Sequence, residues 1–106
     1  MTFDDIVPQL ERTGFPVTYF AWPENPEAPP PPLPWIAWYE DTSNSFFADG
    51  TTYAAARHIV VEFYAKQRDM DGEKKIETAL CGVAWSRFVE HIDTEKCYRT
   101  TYEFEV

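Results

Sequence analysis

The chain has 106 residues, enough for one hydrophobic core and too few for two. Its 18 acidic residues against 9 Lys and Arg leave a formal net charge of -9. Binding to nucleic acid or to an anionic membrane gains most of its free energy from basic residues displacing counterions, so both partners are disfavoured.

An aromatic share of 17% points to a fold held by large flat side chains. No apolar run reaches the roughly 20 residues that span a bilayer. The start, Met1-Thr2-Phe3-Asp4-Asp5, lacks the positive region of a secretory signal. Two cysteines, Cys81 and Cys97, are too few for a disulfide scaffold and fit a reducing compartment. The expected product is a soluble protein made in the cytoplasm.

Thr2 and Asp5 have capping-box spacing, with Asp in place of the usual Glu, and Phe3, Ile6, Val7 and Leu10 recur at helical intervals. The spacing predicts a short amphipathic helix ended by Gly14, with Pro16 preventing its resumption. Pro8 would cost about 3 kcal/mol deep in a helix, so the helix is expected to begin late or to kink there.

Residues 17–22 read as a first strand, with Val17, Tyr19 and Ala21 opposite Thr18, Phe20 and Trp22. The segment 23–34 holds seven prolines mixed with Glu24 and Glu27, which neither donate to a ladder nor propagate a helix and favour extended polyproline II. Two readings stand for it. One is a stiff loop between two strands; the other is a docking ligand, with Pro29, Pro30, Pro31 and Pro32 as its contact residues.

A second strand is expected over 33–39, with Trp35, Ala37 and Tyr39 on one side and Ile36 and Trp38 on the other. Both sides are too apolar for a sheet wetted on one face, so one of them is expected to meet another subunit. Asp41-Thr42-Ser43-Asn44 and Ala48-Asp49-Gly50 are turn chemistry, yet Phe46 and Phe47 sit between them. Adjacent aromatics in a polar loop mark either a contact surface or a loop folded back onto the core. Trp38, Phe46 and Phe47 are the aromatic contact candidates.

The best-marked strand is His58-Ile59-Val60-Val61-Glu62-Phe63-Tyr64. Ile59, Val61 and Phe63 alternate onto one face, which makes it a central strand whose apolar face a helix must cover. That helix is predicted next, opened by Asp69 or Asp71 as cap, with Glu73 in its first turn, and burying Ile76, Ala79, Leu80 and Val83 before Gly82 ends it. Trp85, Phe88, Val89 and Ile92 also have helical spacing, but a strand over 87–92 is taken. In the final strand Tyr98, Thr100, Tyr102, Phe104 and Val106 alternate with Arg99, Thr101, Glu103 and Glu105, half buried with an acidic outer face. The sum is an α+β domain spanning 1–106, with a mostly antiparallel four- to five-stranded sheet flanked by two helices and a proline-rich loop between its first two strands.

Chemistry is sparse. Cys81, Cys97, His58 and His91 make a Cys2His2 inventory with no zinc-knuckle spacing, so no metal site is expected. Asp69-Met70-Asp71-Gly72-Glu73 begins like a calcium loop, but Lys74 and Leu80 stand where that motif needs Gly and Glu. There is no G-x-S-x-G and no Gly-rich phosphate cradle. Neither catalytic residues nor a cofactor is expected, which favours an assembly component over an enzyme.

The order of elements resembles the small tail-completion proteins of long-tailed siphophages and their prophages, a group that includes tail terminators and head-tail joining proteins. The likeness runs from a helix and two strands through Asn44, Phe46-Phe47-Ala48-Asp49-Gly50 and Tyr53 to the strand 58–64. It continues through Glu73, Ile76-Glu77 and Leu80 to Ile92 and Glu95, and ends at Tyr98 and Tyr102-Glu103-Phe104-Glu105. The resemblance implies a mostly antiparallel sheet with helices, an extended segment after the second helix, and no catalytic residues. It also implies a ring, typically a hexamer, that caps the tail tube or joins tail to head alongside other completion proteins. The implied location is the bacterial cytoplasm during assembly and then the virion. The proline-rich segment lies outside this resemblance. A small acidic interaction module whose residues 29–34 are read by an SH3-like partner is the alternative, and Glu24 and Glu27 count against it because such ligands are flanked by basic residues.

Overall fold

A computed structural model of the chain describes residues 1–42, 47–48, 51–52 and 57–106. A 3-10 turn, Phe3–Asp5, runs into helix α1 (Ile6–Glu11). Then come β1 (Val17–Tyr19), β2 (Trp35–Glu40), β3 (Phe47–Ala48), β4 (Thr51–Thr52), β5 (His58–Ala65), α2 (Met70–Ala79), β6 (Trp85–Ile92) and β7 (Cys97–Glu105). Five strands form one sheet in the order β1-β2-β5-β7-β6. β1 runs parallel to β2 and the other neighbours are antiparallel, while β3 and β4 pair separately. The class is therefore α+β, with β5 in the middle of its sheet.

At the N-terminus the Thr2 N–H and hydroxyl both donate to the Asp5 carboxylate, at 2.9 and 3.0 Å. These bonds, the backbone one foremost, hold the Asp5 carboxyl below its usual range. Pro8 is accommodated because the regular helix begins only at Ile6, which leaves Pro8 in its first turn, where a missing N–H costs nothing. Gly14 follows with φ +85°, the left-handed conformation that ends the segment.

Pairing register fixes which residues share a face. Trp38, Val61 and Tyr102 lie opposite one another, as do Ile36, Phe63 and Thr100. This face is covered by α1 and α2, and Ile6, Leu10, Ile76 and Leu80, the residue that caps α2, enter the core. Each fully buried aliphatic or aromatic side chain there adds roughly 1.5–3 kcal/mol of gross transfer free energy. Ala79 and Val83, expected in this core, are only half buried.

Helix α2 opens on Asp69, whose carboxylate accepts the Gly72 N–H at 2.8 Å. Gly72 lets the first turn approach β5 closely, since a Cβ there would stand 2.7 Å from Phe63 Cζ. The strand taken over 87–92 is present and starts earlier, at Trp85.

The bounds of the first two strands also differ from the sequence reading. The first strand, expected over 17–22, stops at Tyr19 because Phe20 turns to φ +67°. The second begins at Trp35 rather than 33, after a cis Leu33–Pro34 peptide; proline has no N–H to give a ladder. Between them residues 20–34 hold neither helix nor strand. They are not uniformly extended, for Ala28 N–H donates to the Asn25 carbonyl at 3.1 Å and Glu27 N–H to the Asn25 side chain at 3.0 Å, a turn at 25–28.

Candidate functional site

The face opposite the helices carries the most unusual surface of the chain. Register places Trp35, Ala37 and Tyr39 of β2 beside Tyr64, Glu62 and Val60 of β5. Next come Arg99, Thr101 and Glu103 of β7, and then Glu90, Phe88 and Ser86 of β6. No helix among the described residues covers this face. Its apolar part is an aromatic row in which Trp22 packs edge-on against Trp35 at 5.8 Å and Trp35 tilts against Tyr64 at 4.6 Å. Phe20 meets Tyr39 at 5.4 Å.

Phe20 combines exposure with strain. It is 68% exposed and sits in the left-handed region, where a bulky residue is rare and pays about 1–2 kcal/mol. Its N–H donates to the Trp38 carbonyl at 2.8 Å and its ring leans on Tyr39, which hold it in place. At the other side of the same face Phe88 is 62% exposed in the middle of β6.

The polar part is a closed network. Arg99 donates to Glu90 through Nε at 2.8 Å and also through Nη2, and its Nη1 lies 3.8 Å from Glu62. The hydrogen bonds to Glu90 and Tyr64 raise the Arg99 pKa above its usual range. Tyr64 donates to Glu62 at 3.1 Å. Burial lifts the Tyr64 hydroxyl above its usual range, with Arg99 opposing. Burial likewise lifts Tyr39, and the Glu62, Asp41 and Glu103 carboxylates add to it. His58 lies 2.9 Å from Glu103.

A second polar cluster ties α2 to the sheet on the covered face. Glu73, read from sequence as a helix-start charge, is 2% exposed, with Arg68 Nε at 3.3 Å and Arg87 Nη1 at 3.5 Å. Arg87 also donates to Glu77 at 2.8 Å, and the Tyr102 hydroxyl donates to the same carboxylate at 2.8 Å. Burial first, then the bond to Glu77, pushes the Tyr102 hydroxyl far up. Each carboxylate here is matched by arginine or tyrosine, so the cluster fastens a helix and presents no free acid-base pair.

The contact candidates separate. Trp38 is 6% exposed and packs edge-on with Phe3 at 5.8 Å and Tyr19 at 4.8 Å, so it belongs to the core. Its strand position turns it toward the helices, and the side turned away from them carries Trp35, Ala37 and Tyr39. Phe46 lies outside the described residues; Phe47 is in β3, and its side chain lies outside them too. Pro29, Pro30 and Pro32 are exposed and Pro31 is half buried. Pro29, Pro30 and Pro31 line a small cleft with Trp22, whose indole N–H is buried without an acceptor among the described residues. Sequence reasoning missed Phe20 and Phe88. The alternation in 17–22 put Phe20 opposite the Val17 side, the available signal for the first; nothing local marked the second.

The four potential zinc ligands are placed apart in role. Cys81 is exposed; Cys97 is buried, its thiol pushed up by that burial and by Glu95. His58 faces Glu103, and His91 lies 2.8 Å from Asp93. Among the described residues no group of three or more His, Cys, Asp or Glu is arranged to hold a metal. No helix among them is long and apolar enough to cross a membrane. Comparison of the chain with protein-family models, with curated proteins and with solved structures gives no match.

Proposed function

We propose that the chain is a structural subunit of a phage or prophage virion, one that joins copies of itself in a ring capping the tail tube or linking tail to head. The observation that carries this reading is the face of the sheet that no helix among the described residues covers, where Phe20 and Phe88 are largely exposed beside the half-buried Trp35 and Tyr39. Displayed aromatics of this size are what assembly interfaces are made from. The order of elements that resembles tail-completion proteins supplies the type of assembly.

Charge sets the conditions. A ring of six would gather six times the single-chain charge of -9, so self-repulsion opposes closure unless salt screens it within about 8 Å. Ring formation is therefore promoted by salt or by the end of a tail tube, and an acidic wall would not hold passing DNA phosphates. Light scattering across salt concentration, followed by co-sedimentation with purified tail tubes, tests this. A chain that forms no ring at any salt concentration and ignores the tubes ends the reading.

The second reading, a small acidic interaction module, draws on the exposure of Pro29, Pro30 and Pro32. Replacing 26–32 by a short Gly-Ser turn separates the two. Loop length costs only about 0.6 kcal/mol per doubling, so the fold survives. Tube binding is retained under the first reading, and partner binding is lost under the second.

A further inference from the structure

The two edges of the sheet are built differently. β1 is only three residues long and ends where Phe20 turns away, and Ala21 N–H occupies the Tyr19 carbonyl at 2.8 Å. That edge offers little to pair with. β6 is eight residues long, Trp85–Ile92, hydrogen-bonded to β7 on one side and, among the described residues, without a neighbour in the sheet on the other. It has no proline. Its outward N–H and C=O groups form a template for another strand, which natural edges commonly block with charge, proline or a covering segment.

The charges on β6 do not block it, because each is already engaged within its own chain. Arg87 is held by Glu77 and Glu73, Glu90 by Arg99, and His91 by Asp93. What remains at the middle of the strand is Phe88, 62% exposed.

We propose that β6 pairs antiparallel with β6 of a second copy, across a two-fold axis at Phe88, joining two five-stranded sheets into one. The argument for a second copy is register and charge. A two-fold perpendicular to the sheet keeps the helix-covered faces on one side, so opposed residues must share a face. Centred on Phe88, the pairing sets the two phenyl rings together, Arg87 opposite Val89, Ser86 opposite Glu90 and Trp85 opposite His91. No like charges stand directly opposite one another. Centred on Val89 instead, it would set Arg87 opposite His91 and bury Phe88 against Glu90, a poorer match. The contact closes on itself and stops at two copies; it draws on Phe88, as the ring reading does, but does not depend on a ring.

Sedimentation equilibrium on the intact chain should give twice the 12.4 kDa chain mass, with the dimer favoured as salt screens the net charge of -9. Phe88→Lys should raise the concentration for half-dimerisation by about tenfold or more while leaving the far-UV circular dichroism of the monomer unchanged. Cross-linking fixes the register. In a Cys81→Ser background, Phe88→Cys should form a covalent dimer under mild oxidation, because facing Cβ atoms lie about 5 Å apart. Ile92→Cys should not, since its mate is displaced by about 27 Å along the strand. A chain that is monomeric at every concentration and salt level overturns the proposal. Equal cross-linking at both positions, or cross-linking at position 92 alone, overturns it as well.

Discussion

On the helix side of the sheet Phe63 and Tyr102 are 1% and 0% exposed, while on the opposite side Phe20 and Phe88 remain largely in solvent. The same residue type serves two ends. On the first side aromatics close the fold with α1 and α2; on the second they sit beside charges that have been paired off by Arg99, and Phe20 and Phe88 keep apolar area in solvent. The difference teaches that apolar content alone does not mark a surface as core. A helix has to be available to cover it, and among the described residues helices lie on one side.

The contrast is broken most severely at Phe63. Phe63→Ala removes a ring packed against Phe15 at 5.0 Å and against the Gly72 turn, and should cost about 3–5 kcal/mol in urea unfolding. A cost below 1 kcal/mol would mean that the helices do not depend on this face. Gly72→Ala forces a Cβ to within 2.7 Å of Phe63 Cζ, so about 1–3 kcal/mol should be lost even though alanine is the better helix former. A stabilised variant would show that α2 stands further from β5.

Tyr102→Phe takes away the hydroxyl bonded to Glu77 at 2.8 Å and should cost about 1–2 kcal/mol at neutral pH, Glu77 keeping Arg87. It also has a pH signature. Folding raises the Tyr102 pKa above the 10.0 of the free side chain, so the unfolded chain loses its proton first and stability falls as pH rises past about 10. Tyr39 and Tyr64 are shifted the same way, so the variant should flatten this decline without abolishing it. An unchanged alkaline slope would remove Tyr102 from the account.

The smallest effect on folding is expected on the open face. Phe20→Gly relieves the strain of φ +67° and gives up the Tyr39 contact, two terms of about 1 kcal/mol that nearly cancel. Chemical denaturation should find it within about 1 kcal/mol of the parent, while co-sedimentation with tail tubes falls. A variant that unfolds readily, or one that binds tubes as before, would place Phe20 with the core residues and erase the distinction between the faces.

Much of the chain was determined locally. Ile59, Val61 and Phe63 on one side of 58–64, and Tyr98, Thr100, Tyr102 and Phe104 on one side of 98–106, orient each strand, and the Thr2–Asp5, Gly14 and Asp69 signals mark ends that depend on backbone groups a few residues away. Only the tertiary structure decided the rest. Trp35 and Trp38 are both tryptophans on an apolar strand, and nothing short of pairing register tells which one meets the helices. Glu73 reads as a solvated helix-start charge until Arg68 and Arg87 converge on it from outside the helix. That β6 is an edge follows from the strand order, which depends on contacts between residues far apart in the chain. Local pattern specifies what each segment prefers to be; which surfaces remain for a partner is set by what the other segments have already covered.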